Sequence, residues 1–498
     1  MRAINYMNFV RDYEPRYPDI NVGKEILFNT TQDEINLAKK YDIPSTFLLQ
    51  YDALIDEKYI KLFKANQDEK TELGLWYEIN KQLLDEVGLA WRGKQGWTWD
   101  WHIIPGFSMA YTRKERELLI DTAMNKFKEI YGFYPKSVAS WLIDSYTVEI
   151  LSEKYNVSYI GICRDQVATD AYTLVGGYFS GGYYPSKNNM FTPAQTKENR
   201  LKSPVFRLLG PDPIHNYDSS KYLFECKEKI ATLYTLEPAW EIGRQKDVIE
   251  WYNKTYFENE DLGFSYAQIG QENSFGTERR DLIDTLEMQI NVFLKNYDVK
   301  FMTTGQTGEY FKKNFAFTPS TVVFASDDWA TGKKTQSLIY DGERFTANLF
   351  RYKDKIFIRN IYLFDENKEE DYLFETCKTP DALYENLPIC DTLLWKENEG
   401  ILLDNAECEF KAEKLEDGVI KVYWNDKEIV ISKDKIIFKN LTPKLDTTGS
   451  TAKIEVEDDK LKYNYKNTNY EIKISNAKPV KDENYITFVN DGEFEMNI

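Results

Sequence analysis

Residues 112–144 read TRKERELLIDTAMNKFKEIYGFYPKSVASWLID, and their order decides the fold class. Thr112 with Glu115 forms the capping-box pattern, in which each side chain satisfies the other residue's backbone N–H and opens a helix. Leu118, Leu119, Ala123, Phe127 and Ile130 recur at helical spacing, and Gly132 ends the run. Ser137–Ile143 then reads as a buried strand that closes on a carboxylate, Asp144. A helix over Thr147–Tyr155 and a strand over Val157–Cys163, ending near Asp165, repeat the unit.

The same alternation extends in both directions. Ile4–Val10 is a strand running toward Asp12 and Glu14, and the helix Gln32–Tyr41 leads to the strand Ser45–Leu49. Leu73–Tyr77 ends at Glu78. Further strands are expected at Val205–Leu209, Ile230–Leu236, Phe264–Ile269 and Val299–Thr303, with the helix Arg280–Asn296 before the last. Seven or eight such repeats in this length predict a (β/α)7-8 barrel over residues 1–316 rather than an open sheet. From about Pro319 the helical period disappears. Runs such as Ile356–Tyr362, Val419–Tyr423 and Lys460–Ile474 alternate with Asp, Asn, Gly and Lys turns, so residues 317–498 predict an antiparallel β-sandwich-like domain. Such a domain is either an isolated carbohydrate-binding jelly roll or a sandwich packed on the barrel to complete its rim.

Composition narrows the chemistry. A net charge of −18 repels phosphate backbones and anionic membranes, so neither nucleic acid nor membrane is an expected partner. The only two histidines, His102 and His215, are too few for a His-rich zinc site. The five cysteines (Cys163, Cys226, Cys377, Cys390 and Cys408) contain no C-x-x-C pair and signal neither a zinc ribbon nor a disulfide framework. No cofactor is therefore expected. The sequence shows neither the long apolar run of a signal peptide nor that of a membrane span, and the expectation is a cytoplasmic protein. Aromatic residues make up 15% of the chain, as core side chains or as flat platforms for sugar rings.

The loop Gly93–His102, GKQGWTWDWH, sets three Trp at alternate positions beside Asp100 and His102, which no amphipathic helix accommodates. Long loops of this content serve function more often than packing, and a sugar-binding wall is expected. Carboxylates finish many strands: Glu14, Asp52, Glu78, Asp144, Asp165, Asp212, Glu237 and Glu272. In a parallel barrel these ends converge on one mouth, where crowding separates proton-holding groups from ionised ones. Glycoside hydrolysis needs that division: a protonated carboxyl for the leaving oxygen and an ionised one to attack or to activate water. Plainer readings exist for each. Asp144 is placed to cap the following helix, and Gln271-Glu272-Asn273 is turn-like.

The order of elements resembles the polysaccharide-deacetylase-like barrels, the superfamily that also contains glycoside hydrolase families 57 and 38. Glu115–Pro135 is similar to the helix and G-x-x-P that lead into the fourth strand of those deacetylases. Two of their motifs are absent. Where T-F-D-D is expected the chain reads Phe9-Val10-Arg11-Asp12-Tyr13-Glu14-Pro15-Arg16, and Trp76 stands near the place of the first metal-binding histidine. The resemblance thus implies that the metal site is lost. Trp141-Leu142-Ile143-Asp144 resembles the W-L-x-E segment carrying the nucleophile in family 57, with Asp for Glu. Gln271-Glu272-Asn273-Ser274-Phe275-Gly276 resembles the later D-x-E-x-x-G segment that carries the acid. Residues 169–178, 183–186 and 204–214 resemble an uncharacterised bacterial family of the same superfamily.

Inventory and resemblance together imply a metal-independent glycoside hydrolase acting on an oligo- or polysaccharide. Asp144 is the expected nucleophile or base and Glu272 the expected acid, with Glu237 able to replace either. Glu14, Trp99, Asp100, Trp101, His102, Trp141 and Asp165 are expected to hold the sugar. The alternatives are a metal-dependent carbohydrate deacetylase built on Asp12, Glu14 and His102, and a barrel that binds glycans without turnover.

Overall fold

Alternate residues of the first strand, Arg2–Val10, serve two different cores. Ala3 and Met7 pack inside the barrel, whereas Ile4 and Tyr6 pack outward with Leu37, Val248, Tyr252, Leu286 and Phe293 of the surrounding helices. This is the period-two consequence of a strand buried on both faces. The computed structural model describes residues 1–498 apart from 170, 217–233, 241, 260 and 333–334.

Around that strand the sheet grows in parallel. Arg2–Tyr6 pairs with Ser265–Ile269, and Tyr6–Val10 pairs with Ser45–Leu49. Val299–Met302 also pairs with the start of the first strand. Thr71–Trp76, Ser137–Ala139, Tyr159–Ile162 and Val205–Arg207 follow in order. Among the described residues the sheet has nine strands, and only the short Gly182–Tyr183 is antiparallel. The sheet curls into a nearly closed barrel. Its seam lies between Val205–Arg207 and Ser265–Ile269, where the Leu209 N–H donates to Gln268 Oε1 at 2.9 Å.

Helices cover the outside, and local sequence explains their limits. The capping box of Thr112 and Glu115 opens Arg113–Tyr131, and Gly132 closes it at φ 86°. The helix expected from Gln32 starts instead at Ile20, where Asp19 accepts from the N–H groups of Asn21 and Val22. The strand expected over Ser137–Ile143 keeps regular pairing only to Ala139. Beyond it Ser140–Asp144 stays buried while Trp141 turns edge-on to Trp76 and Phe9. Of the strand expected at Ile230–Leu236, residues 230–233 lie outside the described residues, as do Asp170 and Cys226. Thr235 bridges to Pro211. No described helix is long and apolar enough to cross a membrane.

From Thr321 onward a separate antiparallel sheet curls around a core containing Trp395, Trp424, Phe438, Phe488 and Phe494. It packs on the barrel through several contacts, Asp341 accepting from the Phe179 N–H at 3.0 Å and Ser337 Oγ donating to the Pro213 carbonyl at 2.8 Å, and a short strand outside this sheet joins the rim. Ala382–Glu385 pairs in parallel with Tyr172–Val175, which pairs in turn with Gln166–Thr169. The preceding segment is anchored too: Glu370 accepts from the N–H groups of Ser145 (2.8 Å) and Met190 (3.1 Å). The β-rich region is packed on the barrel and builds part of its rim.

Candidate active site

The chain after the seventh parallel strand of the barrel, Ser265–Ile269, turns sharply at Gly270. Its φ is 115°, and a Cβ there would lie 1.9 Å from the Met7 carbonyl oxygen, so only glycine fits. The turn delivers Gln271-Glu272-Asn273 to the barrel mouth beside the end of the first strand. Asn273 fixes the junction by accepting from the Arg11 N–H (3.1 Å) and donating to the Arg11 carbonyl (2.9 Å).

Glu272 and Glu237 line one cleft of about 170 Å³, together with Trp99, Trp101, Trp141 and Trp240. Their environments differ. The Glu272 carboxylate accepts from Ser274 Oγ (2.8 Å) and lies 3.2 Å from Arg11 Nη2. Glu237 accepts from Trp240 Nε1 (2.9 Å) and Gln271 Nε2 (3.2 Å). Burial, reinforced by the Glu272 charge, pushes the Glu237 carboxyl up to about 7.

The tryptophan loop is tied in place by its own polar residues. Asp100 accepts from the backbone N–H groups of Lys94 and His102, both at 3.1 Å, and stands 2.6 Å from His102 Nδ1. That knot presents Trp99 and Trp101 to the cleft, with Trp101 centred 5.2 Å from Trp97 and 5.8 Å from Trp99. The Arg11 guanidinium lies 3.8 Å over the Trp99 ring, and Arg16, also on the cleft, lies 5.5 Å over Trp101. On the far wall Trp141 meets Trp76 edge-on at 5.0 Å. Aromatic sides and two unlike carboxyls suit a ring that is apolar on its faces and polar at its edge.

A family model described as a domain of unknown function with a solved structure, DUF3863, matches residues 77–332, just over half of the chain. The chain belongs to this family. No curated protein matches its sequence. A solved structure of a candidate glycoside hydrolase/deacetylase from Parabacteroides distasonis superposes with a TM-score of 0.59 at 15% identity, over 79% of this chain and 92% of the other. A candidate polysaccharide deacetylase from Mycobacterium smegmatis gives a TM-score of 0.36 at 13% identity, over 62% of this chain and 90% of that one. PuuE allantoinase gives 0.38 at 12% identity, over 63% and 91%. The first likeness shows a shared fold.

Several residues singled out by sequence lie elsewhere in this DUF3863 chain. Asp144 is fully buried outside the cleft, 2.8 Å from Arg116 Nη1, and accepts from the Thr147 N–H (3.1 Å), Thr147 Oγ1 (2.7 Å) and Ser108 Oγ. It caps the helix Ser145–Glu153 and neutralises a buried arginine, whereas the expected role was nucleophile or base. Asp165 is likewise spent, with Arg207 Nη2 at 2.7 Å and the Gly177 N–H at 3.1 Å. Glu14 does not line the cleft but clamps Arg16, which does. His102 and Asp100 pair with each other and support the loop rather than face the cleft.

The donors proposed for a metal do not fit one. Asp12 pairs with Lys24, Glu14 with Arg16 and His102 with Asp100. Among the described residues no three His, Cys, Asp or Glu side chains come together as a ligand set. Arg11, Arg16, Trp240, Tyr172 and Phe275 also stand at the site, with no role for them expected from the sequence. Trp240 and Phe275 carried a usable signal, each lying within three residues of a strand-end glutamate.

Proposed function

We propose that this protein is a glycoside hydrolase in which Glu237 is the general acid and Glu272 the nucleophile or the base that activates water. The observation that carries the reading is the placing of Glu237 and Glu272 on one aromatic cleft in unlike surroundings. Glu237 holds a proton up to about pH 7 and can give it to the departing glycosidic oxygen. Glu272 faces Arg11, so its negative charge is balanced while it attacks or draws a proton from water. Trp99, Trp101 and Trp141 sandwich the sugar ring, and Arg16 reaches its edge. The name borne by the Parabacteroides distasonis protein supports a carbohydrate substrate by fold-level analogy.

That name covers deacetylation as well, so the test reads both products. A panel of oligosaccharides and aryl glycosides is incubated with the protein, with and without chelator, and followed for new reducing ends and for free acetate. Reducing ends that persist in chelator are the expected result. Acetate release that chelator abolishes would replace this reading with deacetylation, and binding without either product would leave a glycan-binding barrel.

A further inference from the structure

The carboxyl group of Glu78, at the end of the third strand, faces the back of the cleft wall rather than the cleft. Its Oε2 accepts from Trp99 Nε1 at 2.8 Å and lies 3.4 Å from Arg11 Nη2. The same Nη2 lies 3.2 Å from Glu272, and the same guanidinium stacks 3.8 Å over the Trp99 ring. Glu78, Arg11 and Trp99 therefore form a closed triangle, each touching the other two, with Glu272 attached at the arginine corner. All three members are at least 97% buried. Glu78 Oε1, Arg11 Nε and Arg11 Nη1 have no hydrogen-bond partner among the described residues. A buried polar group costs free energy when left unpaired, so a triangle that leaves three such atoms unused is not explained by stability alone.

We infer that Glu78 is a positioning residue which, by gripping the Trp99 indole N–H and the Arg11 guanidinium together, sets the sugar platform and the charge partner of Glu272 in one fixed relation. The inference rests on the glycosidase reading for its kinetic consequence but not for its geometry. The charged groups facing Glu78 are Arg11, from the end of the first strand, and Glu272, from the end of the seventh. Burial pushes the Glu78 carboxyl up to about 7, with Arg11 opposing and the Glu272 charge adding to the rise. Its charge therefore changes near neutral pH against the Trp99 N–H.

Two substitutions and one spectroscopic signal test this. Glu78→Ala frees both corners. Turnover is expected to fall on the order of 10²-fold with a raised KM, as for a misplaced catalytic constellation. Glu78→Gln keeps an oxygen for the Trp99 N–H and is expected to bring KM back to within about threefold of wild type. Independently of any substrate, the emission of Trp99 is read as the wild-type spectrum minus that of Trp99→Phe. This difference is expected to titrate near pH 7 and to lose that titration when the subtraction is repeated in the Glu78→Gln background. Equal kinetic losses in both Glu78 variants, or a Trp99 titration unchanged in Glu78→Gln, would overturn the inference. If no glycan is hydrolysed by the wild type, the glycosidase reading fails while the emission titration still decides the role of Glu78.

Discussion

Arg11 Nη2 stands 3.2 Å from Glu272 Oε2, and the pairing of the first strand with Ser265–Ile269 brings them together. The two residues follow neighbouring parallel strands, paired from Arg2 with Ser265 to Tyr6 with Ile269, at opposite ends of the barrel sequence. The contact is made before any ligand arrives. The protein thus carries a preorganised charge at the place where the proposed reaction needs one, and folding rather than binding supplies its organisation.

Gly270 links that fold to the site, so Gly270→Ala should damage both. The left-handed backbone and the clash with Met7 O leave no room for a methyl group. A loss of at least about 1–3 kcal/mol is expected. Denaturant unfolding of wild type and variant measures it, and turnover should fall further than the folded fraction does.

The pH dependence of kcat/KM should show a basic limb near pH 7. The acid must be protonated, and the Glu237 carboxyl gives up its proton at about 7. Because burial raises the folded-state value above that of the unfolded chain, this carboxyl favours the fold most at acid pH. That contribution is lost as pH rises from the ordinary carboxylate range through about 7. Glu237→Gln should therefore remove the basic limb and flatten the fall in the unfolding midpoint between pH 5 and 8.

Asp144→Asn separates scaffold from chemistry. The substitution leaves the buried Arg116 without its carboxylate, at a cost of about 3–5 kcal/mol. Turnover per folded molecule should stay within about threefold of wild type. Chemical denaturation combined with kinetics normalised to folded protein checks both halves.

These residues also mark how far the sequence could be read. Local patterns carried the elements: Thr112 and Glu115 announced their helix, and Ser45–Leu49 is a strand over the range read from the sequence. Errors arose where hydrophobicity does not distinguish a strand from a buried loop, as at Ser140–Ile143, or where Gly23 interrupts a helical pattern. At the site, Glu237 and Glu272 were legible as strand-end carboxylates beside a tryptophan loop. Asp144 had the same local appearance. What sets it apart is Arg116, a residue that reads as the solvent face of a helix and is instead buried against the chain at Tyr372. Contacts between such distant parts of the chain, like that of Arg11 with Glu78, leave no trace in spacing or period.

Two carboxyls carry the proposed chemistry, and the most direct measurement is the turnover of wild type, Glu237→Gln and Glu272→Gln on the first glycan found to be hydrolysed, each variant confirmed folded. Both substitutions should lower kcat/KM by about 10²–10⁴-fold, because each removes a group that acts in the bond-breaking step. Near wild-type turnover in either folded variant would contradict the assignment.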